Sequence, residues 1–180
     1  MKRKIIWGIA LLAINAIVIV SMYTIPFRYH RKVDLPLEVE ADKYALFFLG
    51  YVRCPSICPT TLQIVSKLYR EDNKMPPFTF INLEDVPPNG ATALEYAQSF
   101  HPSFKAWQPD SEQRKQILKE FGAFYAEAQP SIGKAANHST AIYLLLKEGN
   151  SWYIEGMYTK YPPQVSELQE EIVGFVKSTK

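Results

Sequence analysis

Two cysteines hold the most reactive chemistry in this sequence. Cys54 and Cys58 stand four positions apart in Cys-Pro-Ser-Ile-Cys-Pro, and no other cysteine occurs in the 180 residues. So few sulfurs cannot build a disulfide-rich scaffold. Their closeness points instead to redox chemistry or to a metal. Residues i and i+4 on a helical turn lie about 6 Å apart at Cα. That falls inside the range of about 4.4–6.8 Å that a disulfide accepts. It also lets both sulfurs face one ion. A thioredoxin-type Cys-x-x-Cys has one residue fewer between its sulfurs, so the wider pair suits a soft metal such as Cu(I). An inert disulfide is the bland alternative, but so short a loop gains little from closure entropy.

A third donor is sought among the histidines. There are three. His30 is expected to be solvated, close to the N-terminal apolar segment. His101 precedes Pro102 at a predicted helix end, where it can cap carbonyls. His138, in Asn137-His138-Ser139, leads into a predicted strand and is the candidate that a fold could bring to the cysteines. Two thiolates and an imidazole suit Cu(I) and can also accept Cu(II). A lone loop histidine is otherwise more often a surface or capping group.

The elements around these residues have a readable order. Tyr44 to Gly50 is a short apolar run ending in glycine, the pattern of a buried strand. Thr60 to Arg70 places Leu62, Val65, Leu68 and Tyr69 at helical spacing. The cysteines therefore sit where a strand hands over to a helix. Unpaired N–H groups and the positive end of the dipole lower a thiol pKa there, and Arg53 offers a neighbouring cation. Pro77 to Leu83 reads as a second strand. Ala91 to Phe100 and Ser111 to Phe121 read as helices, the latter with Ser111 as N-cap. His138 to Leu146 and Ser151 to Tyr158 form a predicted hairpin around Glu148-Gly149-Asn150. Pro163 to Lys177 closes the chain as an amphipathic helix. The order β-α-β, helices, β-β-α predicts an α/β, thioredoxin-like sandwich with a central mixed sheet.

The N-terminus is of a different kind. Met1-Lys2-Arg3-Lys4 is basic, and Ile5 to Phe27 carries no charge. About 20 apolar helical residues cross a hydrocarbon core, so the segment predicts one transmembrane anchor. A cleaved signal peptide would have a shorter apolar stretch and small residues at its cleavage site. The expected organisation is a short cytoplasmic head at 1–4, an anchor at 5–27, a connector at 28–42 and a domain at 43–180. Basic residues flank both ends of the apolar stretch, and the N-terminal amine tips the head towards the cytoplasm. The domain would then face the periplasmic or extracytoplasmic side of the inner membrane. With 20 basic and 18 acidic side chains, the chain lacks the excess of a nucleic-acid binder.

At this point the motifs resemble a known family. Phe47-Phe-Leu-Gly-Tyr-Val-Arg-Cys-Pro-Ser-Ile-Cys-Pro-Thr-Thr-Leu62 is similar to the signature of the Sco/SenC proteins, and Asn137-His-Ser-Thr-Ala-Ile-Tyr-Leu-Leu145 to their distal histidine segment. The resemblance covers about residues 33–178. It implies a thioredoxin-fold, membrane-anchored copper chaperone, with Cys54, Cys58 and His138 as copper ligands. The implied partner is the subunit that carries the binuclear copper site of cytochrome c oxidase, or another extracytoplasmic copper or thiol protein. It also implies a second activity, thiol–disulfide oxidoreduction by the Cys54–Cys58 pair. The chain departs from the family pattern at Ser56 and Asn137, where acids are usual, and in Leu83-Glu-Asp-Val-Pro-Pro-Asn-Gly90. The first two changes remove negative charge near the site.

Overall fold

The computed structural model describes residues 29–72, 74–85, 92–126 and 137–178, together with Trp7 and Asn15. Six strands make one mixed sheet: β1 (Arg31–Val33), β2 (Tyr44–Gly50), β3 (Phe78–Asn82), β4 (Lys105–Trp107), β7 (Ile142–Glu148) and β8 (Ser151–Tyr158), in the order β1-β8-β7-β2-β3-β4. β2 runs parallel to β3 and antiparallel to β7. A separate two-stranded ribbon pairs β5 (Tyr125–Ala126) with β6 (Asn137–His138). The helices are α1 (Ile57–Glu71), α2 (Ala93–Gln98), α3 (Ser111–Phe121) and α4 (Val165–Ser178).

The central strand explains the layers. Side chains of a strand alternate between its faces. Leu46 and Phe48 enter one core with Leu62, Val65 and Leu68 of α1 and Leu168 and Ile172 of α4. Ala45, Phe47 and Leu49 enter the other with Ile117 and Phe121 of α3. Both faces of β2 are therefore covered, which is why its sequence reads as an unbroken apolar run. Each fully buried Leu or Phe contributes about 1.5–3 kcal/mol, so β2 is firmly anchored on both faces, and the cysteines follow its end.

Several expectations need correction. The predicted strand from His138 to Leu146 is two elements. β6 ends at His138, and β7 starts at Ile142. Ser139 causes the break: its N–H donates to the Phe124 carbonyl at 3.1 Å, and its hydroxyl accepts the Phe124 N–H at 3.0 Å. The N-cap of α3 is Asp110, not Ser111. Its carboxylate accepts from the backbone of Glu112 and Gln113, and the Gln113 side chain accepts the Asp110 N–H in return. The stretch at 28–42 is more than a connector, because β1 lies in it and pairs antiparallel with β8. The short strand β4 was not anticipated; three residues give periodicity little to show.

The anchor predicted at 5–27 lies outside the described residues, apart from Trp7 and Asn15. Among the described residues no helix is long and apolar enough to cross a membrane.

Candidate metal and thiol centre

The cysteines occupy the turn between β2 and α1. Cys54 precedes the helix, and Cys58 lies in its first turn. α2 and α3 both start with a side-chain capping box. α1 does not: Ser56, at its N-cap, makes no capping bond. Instead the Cys58 N–H donates to Cys54 Sγ at 3.3 Å. A sulfur takes the place of a capping oxygen and satisfies a donor that the helix start leaves open.

Gly50 makes room for this. A Cβ there would lie 2.7 Å from Cys58 Sγ and 2.8 Å from a ring carbon of Phe80. The close approach of the β2 backbone to the Cys58 sulfur requires glycine. Cys58 is fully buried, and Cys54 is 7% exposed.

His138 joins them from the β5–β6 ribbon, at 5% exposure. Its Nδ1 lies 2.6 Å from the Ser139 carbonyl. A carbonyl can only accept, so Nδ1 carries a proton and Nε2 is the nitrogen that faces the sulfurs. That Nε2 lies 3.6 Å from Cys58 Sγ. The two sulfurs and an imidazole nitrogen all fall within 4.8 Å of one another. Tyr51 stands edge-on to the imidazole, with ring centroids 5.2 Å apart.

The two thiols differ electrostatically. Cys54 is pulled down to about 3, first by the Cys58 side chain donating to its sulfur, then by His138 and the backbone of Cys58 and Ser56. Cys58 is pushed up, because it is the donor to Cys54 and because it is buried. The pair holds one negative charge, placed on Cys54. The helix start lowers a thiol as the sequence indicates, but the expected cation does not contribute. The Arg53 guanidinium turns to Glu84, with Nε 2.8 Å from its carboxylate.

The other two histidines stay apart from this centre. His30, expected to be solvated, stacks on Tyr153 at 4.4 Å and pairs with the buried carboxylate of Glu155. His101 donates its backbone N–H to the Ala97 carbonyl at the end of α2 at 3.4 Å, while its Nδ1 contacts the Ser103 hydroxyl at 2.8 Å and accepts the Ser103 N–H. Ser56 and Asn137 are both exposed. Residues 86–90 of the divergent stretch lie outside the described residues.

Sequence reasoning gave no role to Gly50, Asn82 and Glu84. Gly50 read as the end of a strand. The signal for Glu84 was its place just after β3, opposite the cysteine loop in a parallel sheet.

The SCO1/SenC family profile matches residues 38–172, which include all three donors. The chain belongs to the SCO1/SenC family. Among curated SCO1/SenC relatives, an SCO2-like protein of Rickettsia felis is 27% identical over 141 residues, covering 74% of this chain and 64% of that protein. The mitochondrial SCO2 homologue of Bos taurus is 30% identical over 115 residues, covering 59% and 43%. The matches thus span less than two thirds of those relatives' own length. Among solved structures, Arabidopsis thaliana ScoI with copper bound has a TM-score of 0.64 at 21% identity, covering 76% of this chain and 85% of that one. Yeast Sco1 with copper bound has a TM-score of 0.61 at 20% identity, covering 84% and 87%. The shared feature is the thioredoxin-like α/β fold with its central mixed sheet.

Proposed function

We propose that this protein is a copper metallochaperone that holds one copper ion as cargo on Cys54, Cys58 and His138. The observation that carries the reading is the gathering of three donor atoms, from three buried side chains, within 4.8 Å of one another. Their chemistry fits the ion. Two sulfurs and one imidazole nitrogen are soft to intermediate donors, the set preferred by Cu(I). One sulfur is already charged, and the Ser139 carbonyl orients the imidazole as an outer partner should. Binding would release the Cys58 proton.

The cargo would pass by ligand exchange to the copper-site subunit of cytochrome c oxidase, or to a similar extracytoplasmic acceptor. Support for this step comes from family membership and from relatives solved with copper. Tethering at the inner membrane through 5–27, with the domain on the extracytoplasmic side, rests on the uncharged stretch Ile5 to Phe27.

Titration of the reduced full chain with Cu(I) against a competing chelator tests the reading. One equivalent should bind, and His138→Ala or either Cys→Ala should abolish competition. Absence of binding by the reduced protein overturns it.

A second reading is favoured by the unequal thiols. A charged Cys54 beside a protonated Cys58 is the arrangement of an attacking and a resolving thiol. The protein would then reduce a partner disulfide through a mixed disulfide at Cys54. Turnover of a disulfide substrate that survives His138→Ala would mark this activity as independent of copper.

A further inference from the structure

The backbone just before Cys54 is held from outside its own loop. The Val52 N–H donates to Asn82 Oδ1 at 3.2 Å, and the Arg53 N–H donates to Glu84 Oε1 at 3.0 Å. The acceptors lie at the C-terminal end of β3, the parallel neighbour of β2, and two residues beyond it. The other oxygen of Glu84 takes the Arg53 Nε at 2.8 Å. Gln108 braces the same corner, its side-chain nitrogen donating to the Glu84 carbonyl at 2.8 Å.

The burial is lopsided. Glu84 is 3% exposed, whereas the Arg53 side chain is 63% exposed. A carboxylate kept in an apolar interior needs a partner, and this one takes its partner from the residue beside Cys54. Arg53 makes no hydrogen bond to either sulfur among the described residues, although a cation one residue away could settle on the charged thiol.

We propose that Glu84 is a positioning residue for the thiol pair: it clamps the backbone before Cys54 and withholds the Arg53 charge from the sulfurs. The consequence is a dithiol that is readily oxidised and that holds its cargo without competition from a local cation. The cargo part of this statement rests on the copper reading above; the redox part does not.

The test uses the metal-free full chain in a glutathione redox buffer. As the Cys54 thiolate and the Cys58 thiol join, they give up two electrons and one proton, and solvent supplies a second proton. One oxidised glutathione takes these and splits into two thiols. The fraction of dithiol is read by trapping free thiols and weighing the protein. Glu84→Gln keeps an acceptor for the Arg53 N–H but removes the negative charge and frees the guanidinium. It should shift the equilibrium towards dithiol by roughly tenfold, about 30 mV. Arg53→Ala leaves the carboxylate unpaired and should shift it towards disulfide by roughly threefold. The double variant should return to within about threefold of the wild type.

Opposite signs are the point, because simple loosening of the loop would move both variants the same way. Two shifts of the same sign, or two shifts under about twofold, overturn the proposal. If Glu84→Gln does not fold, Arg53→Ala decides alone: it changes an exposed side chain, and no shift or a shift towards dithiol overturns the proposal. Cu(I) titration of the wild type runs alongside. Opposite redox shifts without copper binding would retire the copper reading and leave the positioning role standing.

Discussion

The starts of α1 and α3 pose the same physical problem and solve it differently. Each helix leaves backbone N–H groups without intrahelical partners. At α3, Asp110 accepts two of them at 2.9 Å, and Gln113 returns a bond to the Asp110 N–H. At α1, Ser56 offers nothing, and a donor goes to the Cys54 sulfur. A carboxylate cap improves stability alone. A thiolate cap is chemically available. The same N–H that needs an acceptor also helps the Cys58 side chain to lower the Cys54 thiol, so the helix start supports the reagent while remaining less well closed. What α1 forgoes in capping appears as a nucleophile and a metal donor.

Breaking each start should therefore have a different signature, and the largest effect belongs to α1. Cys58→Ala or His138→Ala should weaken Cu(I) binding by about a thousandfold, the loss of one of three donors. Asp110→Ala should leave it within about twofold. Competition with a Cu(I) chelator measures both. A loss of binding in Asp110→Ala equal to that in the donor variants would erase the contrast.

Gly50→Ala comes next. The added carbon would meet the Cys58 sulfur and the Phe80 ring at under 3 Å, and both are fully buried. Overpacking of this kind typically costs about 1–3 kcal/mol. Thermal unfolding should report the loss, and Cu(I) affinity should fall with it, because the displaced atom is a donor. Gly122→Ala, at the αL end of α3, where the space is open, should cost stability through its positive φ and leave the metal untouched.

Asp110→Ala itself should lower stability by about 1 kcal/mol, the usual worth of an N-cap. Replacing Ser56 by Asp should do the reverse at α1, adding a cap where none exists. It should also slow alkylation of Cys54, as the new carboxylate competes for the N–H groups that hold the thiolate. Melting curves with and without copper would separate the two contributions.

The legibility of these features in the sequence followed the range of the interactions behind them. β2 announced itself because seven residues repeat one local rule, burial on both faces. α1 and α4 showed through helical spacing. The cysteine turn could be placed because strand and helix patterns stop on either side of it. The Asp110 cap was missed by one residue, since Asp and Ser stand side by side at 110 and 111 and both suit a cap. His138 read as part of a long strand because Ile142 to Glu148 follows it. The break depends on Ser139 reaching Phe124, a contact between segments that no local pattern encodes. Glu84 was hidden for the same reason: its partner is 31 positions earlier in the chain. The donors could be proposed from motifs alone. The network that orients them had to be seen in space.

The smallest expected change sharpens the comparison most. Cys54 is lowered to about 3, whereas an ordinary thiol titrates near 8.5. A lowered pKa means the thiolate persists as pH falls, so metal-free Cys54 should react with iodoacetamide at a rate that changes less than about twofold between about pH 5 and 8. An unperturbed thiol would slow by roughly a thousandfold over the same range, tenfold per unit below its pKa. Cys58, pushed the other way and buried, should stay unmodified throughout. A Cys54 rate that rises tenfold per pH unit would mean that the helix start does not hold a charge on sulfur. α1 would then be merely an uncapped helix, and α3 the better-made one.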